Sequence, residues 1–288
     1  MYFSRIRLRS ENISNVAEKL AKSSYGLHQL LWELFAEDGT RNFLFREEIA
    51  REQLDVRSGA RGEPVYYVVS ANRPHIDHSL FHVDEKTYQP QLQVGDRLHF
   101  DLRANPVISR NGKKHDVPMD AQRQLLYSLC AELGLQSKIS ESSKKQALKR
   151  LLLNQSSERL DEKLTALLKS NGRYADRLEQ PLSLTDKLDW VMKGAVDTAL
   201  EKWMVSQGER NGFLLCKDRF DQLKLQTSGY GWHALAGKAK RGIKSGFSSV
   251  DFTGELEVRD IDLLRHALFS GIGRSKAFGC GMLLVRRA

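Results

Sequence analysis

The chain has 288 residues, 41% of them hydrophobic and 28% charged, and a formal charge of +9; that length exceeds one average domain and leaves ample apolar surface for a core. Its longest apolar runs, such as Leu151 to Leu153 and Met282 to Val285, cover only a few residues, which excludes a helix that spans a bilayer. Cys130, Cys216 and Cys280 stand far apart, with no CxxC pair and no familiar zinc spacing, which argues against a disulfide framework and points to a reducing cytoplasm. In chain order, the opening MYFSRIRLRS alternates apolar and basic residues, so no signal peptide is expected there. Tyr2, Ser4, Ile6 and Leu8 share one face and Phe3, Arg5, Arg7 and Arg9 the other, the pattern of a strand with a wet, basic face.

From Tyr25 to Phe35, Leu27, Leu30, Leu31 and Leu34 recur at i, i+3, i+4 and i+7, which predicts an amphipathic helix that Ser23 or Ser24 can cap. His28 falls beside this leucine stripe, on the flank of Tyr25, Trp32 and Phe35, at the expected border between core and solvent. An imidazole titrates near neutrality, so it suits general acid or base work; packing on Trp32 is the plainer role. Asn42 to Ile49 and Pro64 to Ser70 read as two strands, giving the opening of a ferredoxin-like βαββαβ unit. HIDHSLFH then places His75, His78 and His82 at spacings of three and four, which would suit metal ligands on a helix, but no third ligand stands at a familiar distance.

QVGDRLHFDLRANPVI, Gln93 to Ile108, reads as the start of a second strand set, and Arg110, Lys113 and Lys114 form a basic turn after it. From Asp120 to about Lys193 the leucines adopt a 3.6-residue period, punctuated by Gly134, Gly172 and Pro181, and helix continues from Val196 to Val205. Strands are expected at Phe220 to Thr227, Gly246 to Val258 and Gly281 to Arg286, with a helix at Ile261 to Phe269. Between them lies GKAKRGIKSG, which carries Lys238, Lys240, Arg241 and Lys244; a basic loop flanked by strands can enter a nucleic-acid groove. The tail GIGRSKAFGCG lacks the GK[ST] of a phosphate-binding P-loop, yet its glycines allow close backbone approach beside Arg274 and Lys276. The excess charge is +1 over residues 1–119, +3 over 120–195 and +5 over 196–288, so it is concentrated toward the C-terminus, as suits a polyanionic partner. No GxSxG elbow and no paired acidic metal motif appears.

Taken in order, MYFSRIRL, YGLHQLLWELF, RNFLFRE, LQVGDRLHFDLRANPV, GFSSVDFTGELEV and GIGRSKAFGCGMLLV resemble the CasE family of CRISPR repeat-RNA endoribonucleases, the type I-E Cascade subunit, over roughly 200 residues. The resemblance implies an α+β chain of two tandem ferredoxin-like (RRM-like) βαββαβ domains, at 1–92 and 93–288. The helical block 120–195 would be an insertion in the second domain that the resemblance leaves unexplained. It also implies metal-independent cleavage of the repeat hairpin in precursor RNA, without cofactor, by attack of a 2′-OH on its own phosphate to give a 2′,3′-cyclic phosphate and a 5′-OH. The family's catalytic histidine and tyrosine fall on His28 and Tyr25, with Lys244 as a third catalytic group. Arg103, Arg110, Lys113, Lys114, Lys238, Lys240, Arg241, Arg274 and Lys276 would hold the RNA. The implied partners are the repeat hairpin and the other Cascade subunits, among them the backbone protein, with no membrane and a monomer when alone. Two rival readings are an inactive RNA-hairpin-binding subunit and a metal-dependent nuclease built on His75 to His82.

Overall fold

The alternating N-terminus forms strand β1 (Tyr2–Leu8) in the computed structural model of the chain, which describes residues 1–9, 26–35, 42–50, 63–110, 112–140, 143–155, 157–235 and 246–288. Ser4 and Ile6 are buried on one face. Arg5 and Arg7 on the other face meet Asp84 at 2.8 and 3.4 Å, so the basic face expected there is partly neutralised. β2 (Phe43–Ala50), β3 (Glu63–Ser70) and β4 (Phe81–Thr87) complete a sheet of order β2-β3-β1-β4, every pairing antiparallel. This is the strand order of a ferredoxin-like unit.

Helix α1 (Gly26–Trp32) runs into a 3-10 turn (Glu33–Phe35) and covers one face of this sheet. Seven residues are too few to hold a helix in water by themselves. Leu30, Leu31, Leu34 and Phe35 supply the missing stability by packing on Ile6, Phe43, Phe45, Tyr66, Val68 and Phe81. Residues 71–80, where a βαββαβ unit has its second helix, form none; the His75 N–H donates to Leu34 O and the Leu80 N–H to His78 Nδ1 instead. Pro74 sits in this stretch and biases the chain away from helix.

The second sheet repeats the order with β5 (Arg97–Ala104), β8 (Phe213–Leu215), β9 (Leu225–Ala234), β10 (Gly246–Val258) and β11 (Leu283–Arg287), arranged β11-β5-β10-β8 with β9 also on β10. Helix α6 (Ile261–Ser270) joins β10 to β11. Asp260 starts it, its Oδ1 accepting from the N–H groups of Asp262 and Leu263 at 3.0 Å each. Asp260→Ala is expected to lower stability by about 1 kcal/mol, the usual worth of such a cap, read as a shifted urea midpoint at constant slope.

One expected strand is displaced. Phe220 lies in a turn, where Asp218 Oδ1 accepts from the N–H groups of Phe220 (2.8 Å) and Gln222 (3.0 Å), and the strand runs instead from Leu225 to Ala234. Here Gly229, at φ +63°, accompanies a bulge opposite Ser249 to Asp251, which lets the strand continue past it.

Both sheets belong to one compact unit, residues 1–105 and 205–288; residues 106–204 form another. That second unit opens with the hairpin β6 (Val107–Arg110) and β7 (Lys113–Asp116). Helices α2 (Val117–Glu132), α3 (Lys145–Gln155), α4 (Glu158–Ser170) and most of α5 (Leu184–Arg210) follow. Leu126, Leu129, Leu148, Leu152, Leu160, Leu164, Leu168 and Leu188 meet in its core. Among the described residues no helix is long and apolar enough to cross a membrane.

Candidate active site

His28 lies deeper than its helical position implies: its residue is 2% exposed. The expectation of a ring at the border with solvent is therefore corrected. The cause is β2, whose aromatic residues Phe43 and Phe45 rise beneath α1. The imidazole stacks on Phe43 (centroids 5.6 Å, 25°), meets Trp32 edge-on (5.4 Å) and lies 6.3 Å from Phe45. Yet the same side chain borders a cavity of about 480 Å³, shared with Glu47, Tyr66, Arg103, His233, Ser249, Phe278 and Cys280. A cleft of that size falls in the range that takes small ligands.

Arg103 of β5 is the fixed cation of this cavity. Its Nε and Nη2 donate to the two carboxylate oxygens of Asp251 on β10 at 2.7 and 3.0 Å, and its Nη1 donates to Glu47 O at 3.1 Å. The Asp251 hydrogen bond raises the guanidinium pKa further above an already high value. Burial pushes the Glu47 carboxyl up, against the lowering effect of Arg103 and of a hydrogen bond from Tyr66. Desolvation, with the Glu47 charge adding to it, raises the Tyr66 phenol, and burial lifts the Cys280 thiol to about 12. At neutral pH the phenol and the thiol are therefore protonated. Desolvation, reinforced by Arg103, moves His233 the opposite way and lowers its pKa, so the neutral ring is favoured.

The glycine-rich tail closes one wall. Gly279 has φ +80°, and a Cβ there would come within 3.3 Å of the Phe45 ring; Gly281, at φ +94°, would bring one to 2.9 Å from Ile272 O. Only glycine fits both conformation and space at these two positions. The tail's Phe278 packs 5.1 Å from Phe247 of β10, so the tail and the end of the second sheet meet at the cavity.

A family described as CRISPR associated protein matches residues 1–287. The chain belongs to that family. Its motif resemblance to CasE is met by a curated relative, the CRISPR system Cascade subunit CasE of Escherichia coli (strain K12), which is 31% identical over 139 residues, 44% of this chain and 66% of that protein. Among solved structures, the CRISPR endoribonuclease Cse3 bound to a 19 nt RNA is 19% identical, with a TM-score of 0.60 over 99% of this chain and 100% of that one. Thermus thermophilus Cse3 bound to an RNA representing a pre-cleavage complex gives 19% and 0.57, over 99% of this chain and 98% of that one. Cas6e from Escherichia coli K-12 gives 21% and 0.50, over the full length of both chains. At these identities the structures establish the shared α+β fold.

Within this CRISPR-associated chain the expected site residues disperse. Tyr25, Lys238, Lys240, Arg241 and Lys244 lie outside the described residues. The strands that flank 236–245 both line the cavity, through His233 and Ala234 of β9 and Phe247 of β10. Arg103 shares the cavity with His28. Arg274 is exposed, while Lys276 turns back to donate from Nζ to Ser270 O at 2.6 Å, at the C-terminal end of α6. Arg110, Lys113 and Lys114 sit on the β6–β7 hairpin of the other unit, where Arg110 pairs with Asp120 at 3.1 Å and the two lysines are exposed. His75 and His78 lie in the 71–80 connection and His82 on β4; among the described residues no three His, Cys, Asp or Glu side chains gather into a metal-holding group. Glu47, Tyr66, His233 and Cys280 complete the cavity wall without having been singled out from the sequence. For Glu47 and Tyr66 the available signal was strand alternation beside Phe45.

Proposed function

We propose that this chain is a metal-independent endoribonuclease that cuts the repeat hairpin of CRISPR precursor RNA and stays on the product as a Cascade subunit. The observation that carries the reading is an imidazole, His28, bordering the same cavity as a permanently charged guanidinium, Arg103. In RNA the nucleophile is already present as the 2′-OH, so the protein needs only to orient it, move protons and offset charge on the phosphorane. A positioned acid or base contributes about 10²–10⁴-fold and one placed donor roughly 3–4 kcal/mol. On this reading His28 moves a proton, Tyr25 orients the phosphate, and Lys244 with Arg274 or Lys276 faces the charge that develops. Two ferredoxin-like domains, 1–92 and 93–288, carry the site, and 120–195 is an insertion in the second. The relatives support the substrate, since one is a Cascade subunit and others are endoribonucleases bound to RNA.

The depth of His28 favours a second reading, a hairpin-binding subunit that does not cut. A cleavage gel separates the two. In excess EDTA the protein is expected to cut a labelled repeat hairpin once, leaving an upstream fragment one water lighter than its linear phosphate. A 2′-deoxy substitution at the ribose just upstream of the cut should abolish the product. Cutting that persists on the deoxy substrate overturns the mechanism, and an intact hairpin on every substrate selects the binding subunit.

A further inference from the structure

His233 lies next to the end of β9, opposite Phe247 of β10, and its ring stacks on Phe247 (centroids 4.8 Å, 20°). Its Nε2 is 2.7 Å from Ser249 Oγ, so among the described residues Nδ1 is the ring nitrogen with no hydrogen bond. The side chain borders the same cavity as His28, although the two residues are separated by most of the chain.

Transesterification of RNA requires two proton transfers, one away from the 2′-OH and one onto the 5′-oxygen. One imidazole in one protonation state serves only one of them in a single step. With His28 as the acid, the other groups around the cavity are poorly matched to taking the proton from the 2′-OH. The Cys280 thiol and the Tyr66 phenol stay protonated, the first because it is buried and the second because it is both buried and bonded to Glu47. Arg103 does not titrate and is engaged by Asp251. The Glu47 carboxyl accepts from Tyr66.

We infer that His233 is the second proton-transfer residue of this site: its Nδ1 takes the proton from the 2′-OH while His28 gives one to the departing 5′-oxygen. The step balances. The O2′–P bond forms as the P–O5′ bond breaks, one proton moves from O2′ to His233 and another from His28 to O5′. The products are a 2′,3′-cyclic phosphate and a 5′-OH, and the two rings exchange protons with water afterwards. Desolvation and the Arg103 charge keep the His233 ring in the neutral form that a base requires, against the opposing pull of Asp251. The hydrogen bond to Ser249 and the Phe247 stack fix its orientation.

The inference rests on the endoribonuclease reading, and a substrate with sulfur in place of the scissile 5′-oxygen separates the two. A thiolate leaves without a proton, so such a hairpin no longer needs the acid but still needs the base. Wild type, His28→Gln, His233→Gln and His233→Asn are compared on the oxygen and sulfur hairpins, with RNA binding measured alongside to show that each variant is folded. On the oxygen substrate each variant should lose about 10²–10⁴-fold in rate. Sulfur should restore cutting by His28→Gln and leave both His233 variants slow. Normal cutting by the His233 variants, or their rescue by sulfur, overturns the assignment of His233 as base. A His28 variant that sulfur does not rescue overturns its assignment as acid. If wild type cuts neither hairpin, the endoribonuclease reading itself fails and takes this inference with it.

Discussion

Replacing His28 by alanine is expected to slow hairpin cutting by about 10²–10⁴-fold, equivalent to about 3–5 kcal/mol of transition-state stabilisation, with hairpin affinity little changed. Affinity should persist because RNA affinity is generally dominated by phosphate contacts, to which one ring adds little. The alanine variant carries a second effect, however. The ring lies between Phe43 and Trp32 and is almost wholly buried, so truncation opens a hole in the first sheet's core. Large-to-small changes in such places cost about 2–5 kcal/mol of stability. His28→Gln separates these contributions, since glutamine retains most of the volume and a polar tip but cannot exchange a proton near neutrality. Single-turnover rates with saturating protein should show both variants slow, and thermal unfolding should show only the alanine variant strongly destabilised. A glutamine variant that cuts at the wild-type rate would reduce His28 to a packing residue.

How much of this was legible in the sequence follows from which forces act locally. β1, α1, β10 and α6 appear within a residue or two of where alternation and leucine spacing place them, except that Tyr25 lies outside the described residues. In each, one period dominates over many residues. β9 was misplaced because the strand continues through a bulge at its own Gly229 and Tyr230, which shows only in the pairing with Ser249 and Asp251 of β10. The loss of the second helix at 71–80 was less legible, since that chain is tied by His75 N–H to Leu34 O in the 3-10 turn after α1. The candidate site was half legible. Periodicity drew attention to His28 but not to its depth, because depth depends on Phe43 and Phe45 rising from another element. Basic residues were visible as charges, whereas their pairing was not: Arg103 with Asp251 spans nearly the length of the second sheet's sequence, and Arg110 with Asp120 occupies a cation expected to meet RNA. His233 stood alone in the sequence and became a neighbour of the site only through cross-strand register.

Leu152→Ala should unfold the helical unit early and leave RNA cutting intact. Leu152 is fully buried, and every described buried member of its cluster lies between Leu126 and Met192, inside the unit formed by residues 106–204. Its loss should therefore be felt by that unit, at about 2–5 kcal/mol. A domain of about this size holds only about 5–15 kcal/mol in total. Its midpoint should accordingly fall by about 10 °C or more. The cavity of His28, Arg103 and His233 draws all its lining from residues of the other unit. If the two units unfold as separate cooperative blocks, calorimetry of the variant will show one transition moved down and one unmoved. Cutting measured below the lower transition will match wild type. A single transition that shifts as a whole, with cutting lost in step, would mean instead that the sheets depend on the leucine-packed helices for their stability; the block would then be part of the scaffold rather than an insertion the chain can lose.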